Sequence, residues 1–156
     1  MTRQSIILRR CPCILRRAVD QRVKPAGDLT RRMVTSALAS RLLQDALDVH
    51  RRGAIADAAA RYSQILKLEP KNVDALCLLG LACGELKRFA EAVDLLRKAV
   101  KLAPKHAPAH NFLGVALKEI GRTDDALASF DRAISHKTDF MDAYVNRADL
   151  LMTLNR

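Results

Sequence analysis

The sequence has no Trp, only 2 Tyr and 4 Phe, and just 4 Cys in 156 residues. With so few rings, its interior must be built from aliphatic and small side chains. The cysteines, grouped as Cys11-Pro12-Cys13 and as Cys77 and Cys83 within one apolar run, do not make a disulfide framework, and a reducing, cytoplasmic setting is expected. Six Gly and five Pro exclude collagen-like and low-complexity chains. Long hydrophobic runs are also missing. The stretch Leu76 to Gly84 falls well short of the roughly 20 residues a membrane span needs. Near the start, Ser5 to Leu8 and Cys11 to Leu15 are each cut off by an Arg pair, so no secretory core of about 7 to 15 residues exists.

Catalytic motifs are absent too: there is no Gly-rich phosphate loop, no GxSxG elbow and no HExxH pair. The paired carboxylates Asp124-Asp125 stand at a helix start, where they are expected to complement the dipole and cap free N–H groups. Cys11 and Cys13 supply two of the four ligands a zinc ion requires, and the nearest histidine is the distant His50. They are read as free thiols. The expectation is a chain that is not an enzyme and holds neither cofactor nor metal.

Charge is abundant and unevenly placed. The total is 27 basic against 17 acidic residues, a net +10. Residues 1–38 hold 9 basic and 2 acidic, and residues 39–156 hold 18 and 15, so most of the excess belongs to an N-terminal arm. Residues 1–32 are read as a basic, disordered segment. Such an arm is a candidate for nucleic acid or an anionic membrane, with binding that weakens steeply with salt. No aromatic interleaves with its basic residues, and a solvated tail serves equally well. Its Arg-rich, acid-poor composition also fits an organelle leader, against which the scarcity of Ser argues. Met33, just before the helical run from Val34 to Arg51, is an alternative start to Met1.

The dominant signal is a 34-residue period. Gly80 returns as Gly114, Ala92 as Ala126, Ala99 as Ala133 and Pro70 as Pro104. One period earlier stand Ala46, Ala58 and Ile65. The chain therefore divides into 39–72, 73–106 and 107–140, followed by a half unit, 141–156. Each full unit carries two runs of about 14 residues with apolar spacing near 3.6, broken at Arg52-Gly53, Lys87-Arg88 or Gly121-Arg122. That pattern is an antiparallel helix pair. Gly80, Ala92, Ala99, Gly114, Ala126 and Ala133 are read as helix-packing residues, small because two helices touch there.

These units resemble tetratricopeptide repeats over about three quarters of the chain. The family's small contact residues fall on the six positions just named, and its large second-helix residue falls on Tyr62, Leu96 and Phe130. The match departs from the pattern where the family places Trp, here Leu42, Leu76, His110 and Tyr144, and where it places Tyr, here Val49, Cys83, Leu117 and Leu151. The resemblance implies an all-α solenoid of antiparallel helix pairs, a right-handed superhelix whose first helices line a concave groove. It also implies that 33–156 is the repeat domain and that the chain is a protein-binding scaffold, of bacterial-like type.

By position, the resemblance puts Leu43, Gln44, Leu47, Cys77, Leu78, Leu81, Asn111, Phe112, Val115, Val145, Asn146 and Asp149 in that groove. Most are apolar. Family members that hold an acidic peptide terminus use Lys, Arg and Asn there, whereas this chain offers Asn111 and Asn146 with Leu or Phe at the basic places. The expected ligand is an amphipathic or extended peptide. Cys83 is read as packing, Cys77 as a groove thiol, His110 as an interior histidine, and His50, His106 and His136 as solvated or capping. An unfinished end after Asn155 leads to the alternative of a fragment of a larger repeat protein, for example a glycosyltransferase, or of self-association through that end.

Overall fold

The computed structural model describes residues 26–155; Cys11, Cys13 and most of the basic arm lie outside the described residues. The chain divides into two units, Met1–Val34 and Thr35–Arg156. Seven helices follow in order: α1 (Ala26–Arg51), α2 (Ile55–Leu68), α3 (Val73–Glu85), α4 (Phe89–Leu102), α5 (Ala107–Glu119), α6 (Thr123–His136) and α7 (Met141–Thr153). The described residues include no strand. The fold is an all-α array of helix pairs. Helix α1 starts at Ala26, inside the segment expected to be a disordered arm. Charge alone suggested disorder there, but residues 26–33 contain no proline, and a single Gly does not stop a helix.

Within each pair the chain reverses through one left-handed residue. These are Gly53 (φ 82°), Lys87 (φ 60°) and Gly121 (φ 78°), with Asn155 (φ 52°) one period further on. The next backbone N–H then closes the helix end: Ala54 donates to Val49 O at 3.3 Å, Arg88 to Cys83 O at 2.8 Å and Arg122 to Leu117 O at 2.9 Å. Glycine enters this conformation freely, whereas Lys87 carries a Cβ penalty of about 1–2 kcal/mol. We expect Lys87→Gly to raise the unfolding free energy by about 0.5–1 kcal/mol, because Gly's extra freedom in the unfolded chain offsets part of the gain. A denaturant midpoint at or below the parent's would contradict this.

Two first helices are capped by side chains: Asn72 Oδ1 accepts from Ala75 N at 2.9 Å, and His106 Nδ1 accepts from Ala109 N at 3.2 Å. The second helices have no side-chain cap at Ala54, Arg88 or Arg122. Asp125 does not take the capping role expected of it. Its carboxylate accepts from Arg122 Nε at 2.7 Å, because a guanidinium makes the stronger, charge-assisted bond.

Helices α2 to α7 pack consecutively, and α3 also touches α5 as α5 touches α7. The second helices bury Tyr62, Leu96 and Phe130 completely, together with Ala58, Ala92 and Ala126. Close approach is required where these large side chains meet the first helices. A Cβ on Gly80 would lie 2.6 Å from Leu96 Cγ, and one on Gly114 would lie 2.5 Å from Phe130 Cε1. Gly84, by contrast, has nothing within 4 Å of that position.

Polar contacts tie neighbouring repeats. Tyr62 Oη donates to His50 Nδ1 at 3.2 Å while His50 Nε2 donates to Glu85 at 3.2 Å. Burial, then the charge of Glu85, pushes the Tyr62 hydroxyl up from its usual range. His110 is buried, donates from Nε2 to Pro104 O at 2.8 Å, and has its ring centroid 5.6 Å from that of His136. Its Nδ1 has no hydrogen-bond partner among the described residues. Burial holds His110 below the usual imidazole range; the Pro104 bond opposes this, and the charges of His136, Arg132 and His106 add to it.

The sign of the pH effect follows. The unfolded chain protonates His110 near pH 6.5, and the folded chain resists. Its contribution to stability is therefore complete above about pH 6.5 and drains away as pH falls through the lowered folded value. Urea melts of His110→Phe should lose less stability between about pH 7 and pH 5 than the parent. Equal losses would contradict this.

Candidate functional site

The first helices α3, α5 and α7 line a groove of about 520 Å³, to which Phe89 at the start of α4 also contributes. Its floor is Leu81, Phe112, Val115, Ala116 and Val145. The apolar spacing of α3 and α5 explains this. Each helix buries one stripe against the second helix and is left with Leu81 on α3, and Phe112 and Val115 on α5, half-buried on the groove side. Val145 on α7 is 58% exposed.

Asn111 and Asn146 fix the polar part of the wall. Asn146 Nδ2 donates to Asn111 Oδ1 at 3.0 Å, joining α5 to α7. Asn111 is only 3% exposed, yet it lines the groove. The bond uses the Asn111 carbonyl oxygen and the Asn146 amide nitrogen, and each side chain keeps a second polar group.

The twelve groove positions expected from sequence thus separate into two sets. Leu81, Asn111, Phe112, Val115, Val145 and Asn146 line this one cavity. Leu43 and Leu78 are instead partly buried against the core, Leu47 is half-buried on α1, and Gln44 is exposed there. Asp149 accepts from Lys118 Nζ at 2.5 Å.

Cys77 needs a correction. It is not a groove thiol but a packing residue, 3% exposed among Leu76, Ala99 and Ala109. Burial, then Asp74, pushes its thiol up to about 12. Cys83 is also fully buried, and its thiol is likewise raised, chiefly by burial. In both, burial disfavours the ionised form that nucleophilic or metal chemistry uses. The six small residues Gly80, Ala92, Ala99, Gly114, Ala126 and Ala133 are all buried. His106 caps α5, His50 bridges Tyr62 and Glu85, and His136 ends α6.

Sequence reasoning missed the acidic members of the wall, Glu85, Glu119 and Asp142. A signal for two of them existed. Glu85 and Glu119 are one 34-residue period apart and end α3 and α5. Among the described residues, no three His, Cys, Asp or Glu gather as a metal site, and no helix is long and apolar enough to cross a membrane.

Two tetratricopeptide repeat family models match the chain, one over residues 43–107 and one over 85–148. The chain belongs to the tetratricopeptide repeat family. No curated protein matches this repeat protein by sequence. Solved structures do. An O-GlcNAc transferase of Thermobaculum terrenum is 31% identical with a TM-score of 0.73, the match covering 75% of this chain and 22% of that one. The chain thus spans less than a quarter of that relative's length. The first tetratricopeptide domain of Spaghetti (RPAP3), bound to the HSP90 peptide SRMEEVD, is 19% identical with a TM-score of 0.71, covering 76% of this chain and 94% of that one. The OM64 domain of Arabidopsis is 22% identical with a TM-score of 0.71, covering 74% and 96%. At these lower identities the likeness is one of fold alone.

Proposed function

We propose that this tetratricopeptide repeat chain binds a peptide segment of a partner protein in the α3–α5–α7 groove and carries out no catalysis. The observation that supports this best is the groove itself, a half-open apolar floor beside an Asn pair. Apolar side chains of a ligand gain by leaving water there, and the Asn pair fixes its backbone. The Spaghetti domain shows that this fold holds a peptide. That peptide, SRMEEVD, is acidic, and the lining here contains no Lys or Arg to hold carboxylates. An acidic terminus is therefore not the proposed ligand.

The test uses peptides selected by the full chain from a random library. Val115→Glu places a charge on the groove floor and should weaken the selected peptides by tenfold or more, as loss of a central interface residue does. Leu102→Glu, at an exposed position outside the groove, should leave them unchanged. Equal affinity for Val115→Glu and the parent, with both folded, would overturn the groove reading. A second reading, that these repeats are one part of a longer protein with an enzymatic domain, is supported by the 31% identity to a segment of the Thermobaculum transferase.

A further inference from the structure

The groove wall carries charge of one sign. Its 13 lining residues include Glu85, Glu119 and Asp142 and no Lys or Arg, although the chain as a whole is at +10. Asp142 stands in the first turn of α7, where a helix dipole favours it. Glu85 and Glu119 do not enjoy that placement. Each is the last residue of its helix, α3 or α5, where the negative end of the helix dipole disfavours a carboxylate. The helix dipoles and the carboxylates there sum to a negative potential on the groove side.

Within the described residues, moreover, Glu119 and Asp142 are exposed and without an ion-pair partner. Glu85 has only His50 Nε2 at 3.2 Å, an ion pair only while the imidazole is protonated.

We infer that the groove selects a cationic amphipathic segment: apolar side chains on Leu81, Phe112 and Val115, with Lys or Arg facing Glu85, Glu119 and Asp142. This rests on the peptide-binding reading above and narrows it to one partner chemistry. A cation at the ends of α3 and α5 gains from both the carboxylate and the helix dipole, and each such exposed contact is modest. Together they amount to about a tenfold preference over a neutral peptide at low salt. The net charge of the whole chain opposes this preference, so it measures the groove and not the surface average.

Three synthetic peptides of one Leu pattern, with Lys, Gln or Glu at the remaining places, separate the outcomes by fluorescence anisotropy with the full chain. The Lys peptide should bind about tenfold tighter than the Gln peptide, and the Glu peptide more weakly than either. The preference should shrink as salt rises from about 0.05 to 0.5 M. In Glu119→Gln/Asp142→Asn the ratio of Lys-peptide to Gln-peptide affinity should fall from about tenfold to about twofold, the remainder belonging to Glu85, while Asp94→Asn, outside the groove lining, should keep the full ratio.

Equal binding of Lys and Gln peptides by the parent chain overturns the charge inference and leaves the groove reading standing, as does a full ratio that survives in the double variant. Binding of none of the three, nor of any library-selected peptide, overturns both.

Discussion

Phe130→Ala is expected to lower the unfolding free energy by about 3–5 kcal/mol, the range for emptying a fully buried ring site. Phe130 is wholly inaccessible, and its ring reaches to within 2.5 Å of where a Cβ on Gly114 would stand. With backbone on one side and the helix pair on the other, few neighbours can swing in to fill the space, so the cost belongs in that range. Against a typical domain stability of about 5–15 kcal/mol, it should move the midpoint of a urea melt well below that of the parent. A loss under about 1 kcal/mol would mean that the α5–α6 contact contributes little to the fold.

The converse substitution tests the same contact by overfilling it. Gly114→Ala should cost about 1–3 kcal/mol, even though Ala is the better helix former. The new methyl would lie 2.5 Å from Phe130 Cε1, and a fully buried ring cannot retreat. The helices must shift instead; the first repeat holds Ala46 with Tyr62 at the matching places, both fully buried. Cutting Phe130 to Leu in the Gly114→Ala background should therefore cost less than the sum of the two single changes, with a coupling of about 0.5–3 kcal/mol. Gly84→Ala provides the contrast. With open space at that position, it should be neutral or stabilising by up to about 1 kcal/mol. Strict additivity of Gly114→Ala and Phe130→Leu would show that the two residues do not share a contact.

The sequence made the helix pairs legible because one constraint repeats. A first helix meets a second helix through backbone at Gly80 and Gly114, and the reversal inside each pair needs a left-handed residue at Gly53, Lys87 and Gly121. Both demands return every 34 residues, so three weak signals add. The groove was legible only in half.

A helix face turns about 100° per residue, and position within the repeat does not say which copies a cavity spans. The open space lies between α3, α5 and α7, so Leu43 and Leu47 on α1 fall outside it although they occupy matching places. Cys77 and Asn111 are also matched, and both are buried. Asn111 lines the cavity and bonds to Asn146, whereas Cys77 packs on Ala99 and Ala109. The acidic wall was missed because charges at helix ends look like solvated surface until the ends are brought together. Helix α1 extended beyond expectation since basic composition says nothing against helix formation.

Nuclear magnetic resonance of the 15N-labelled chain, titrated with the Lys-substituted amphipathic peptide, addresses the peptide-binding claim most directly. The largest backbone shifts should cluster at Leu81, Asn111, Phe112, Val115, Val145 and Asn146, on three helices that are separate in sequence and share one cavity. Shifts confined to α2, α4 and α6, with those six residues unmoved at saturation, would contradict it.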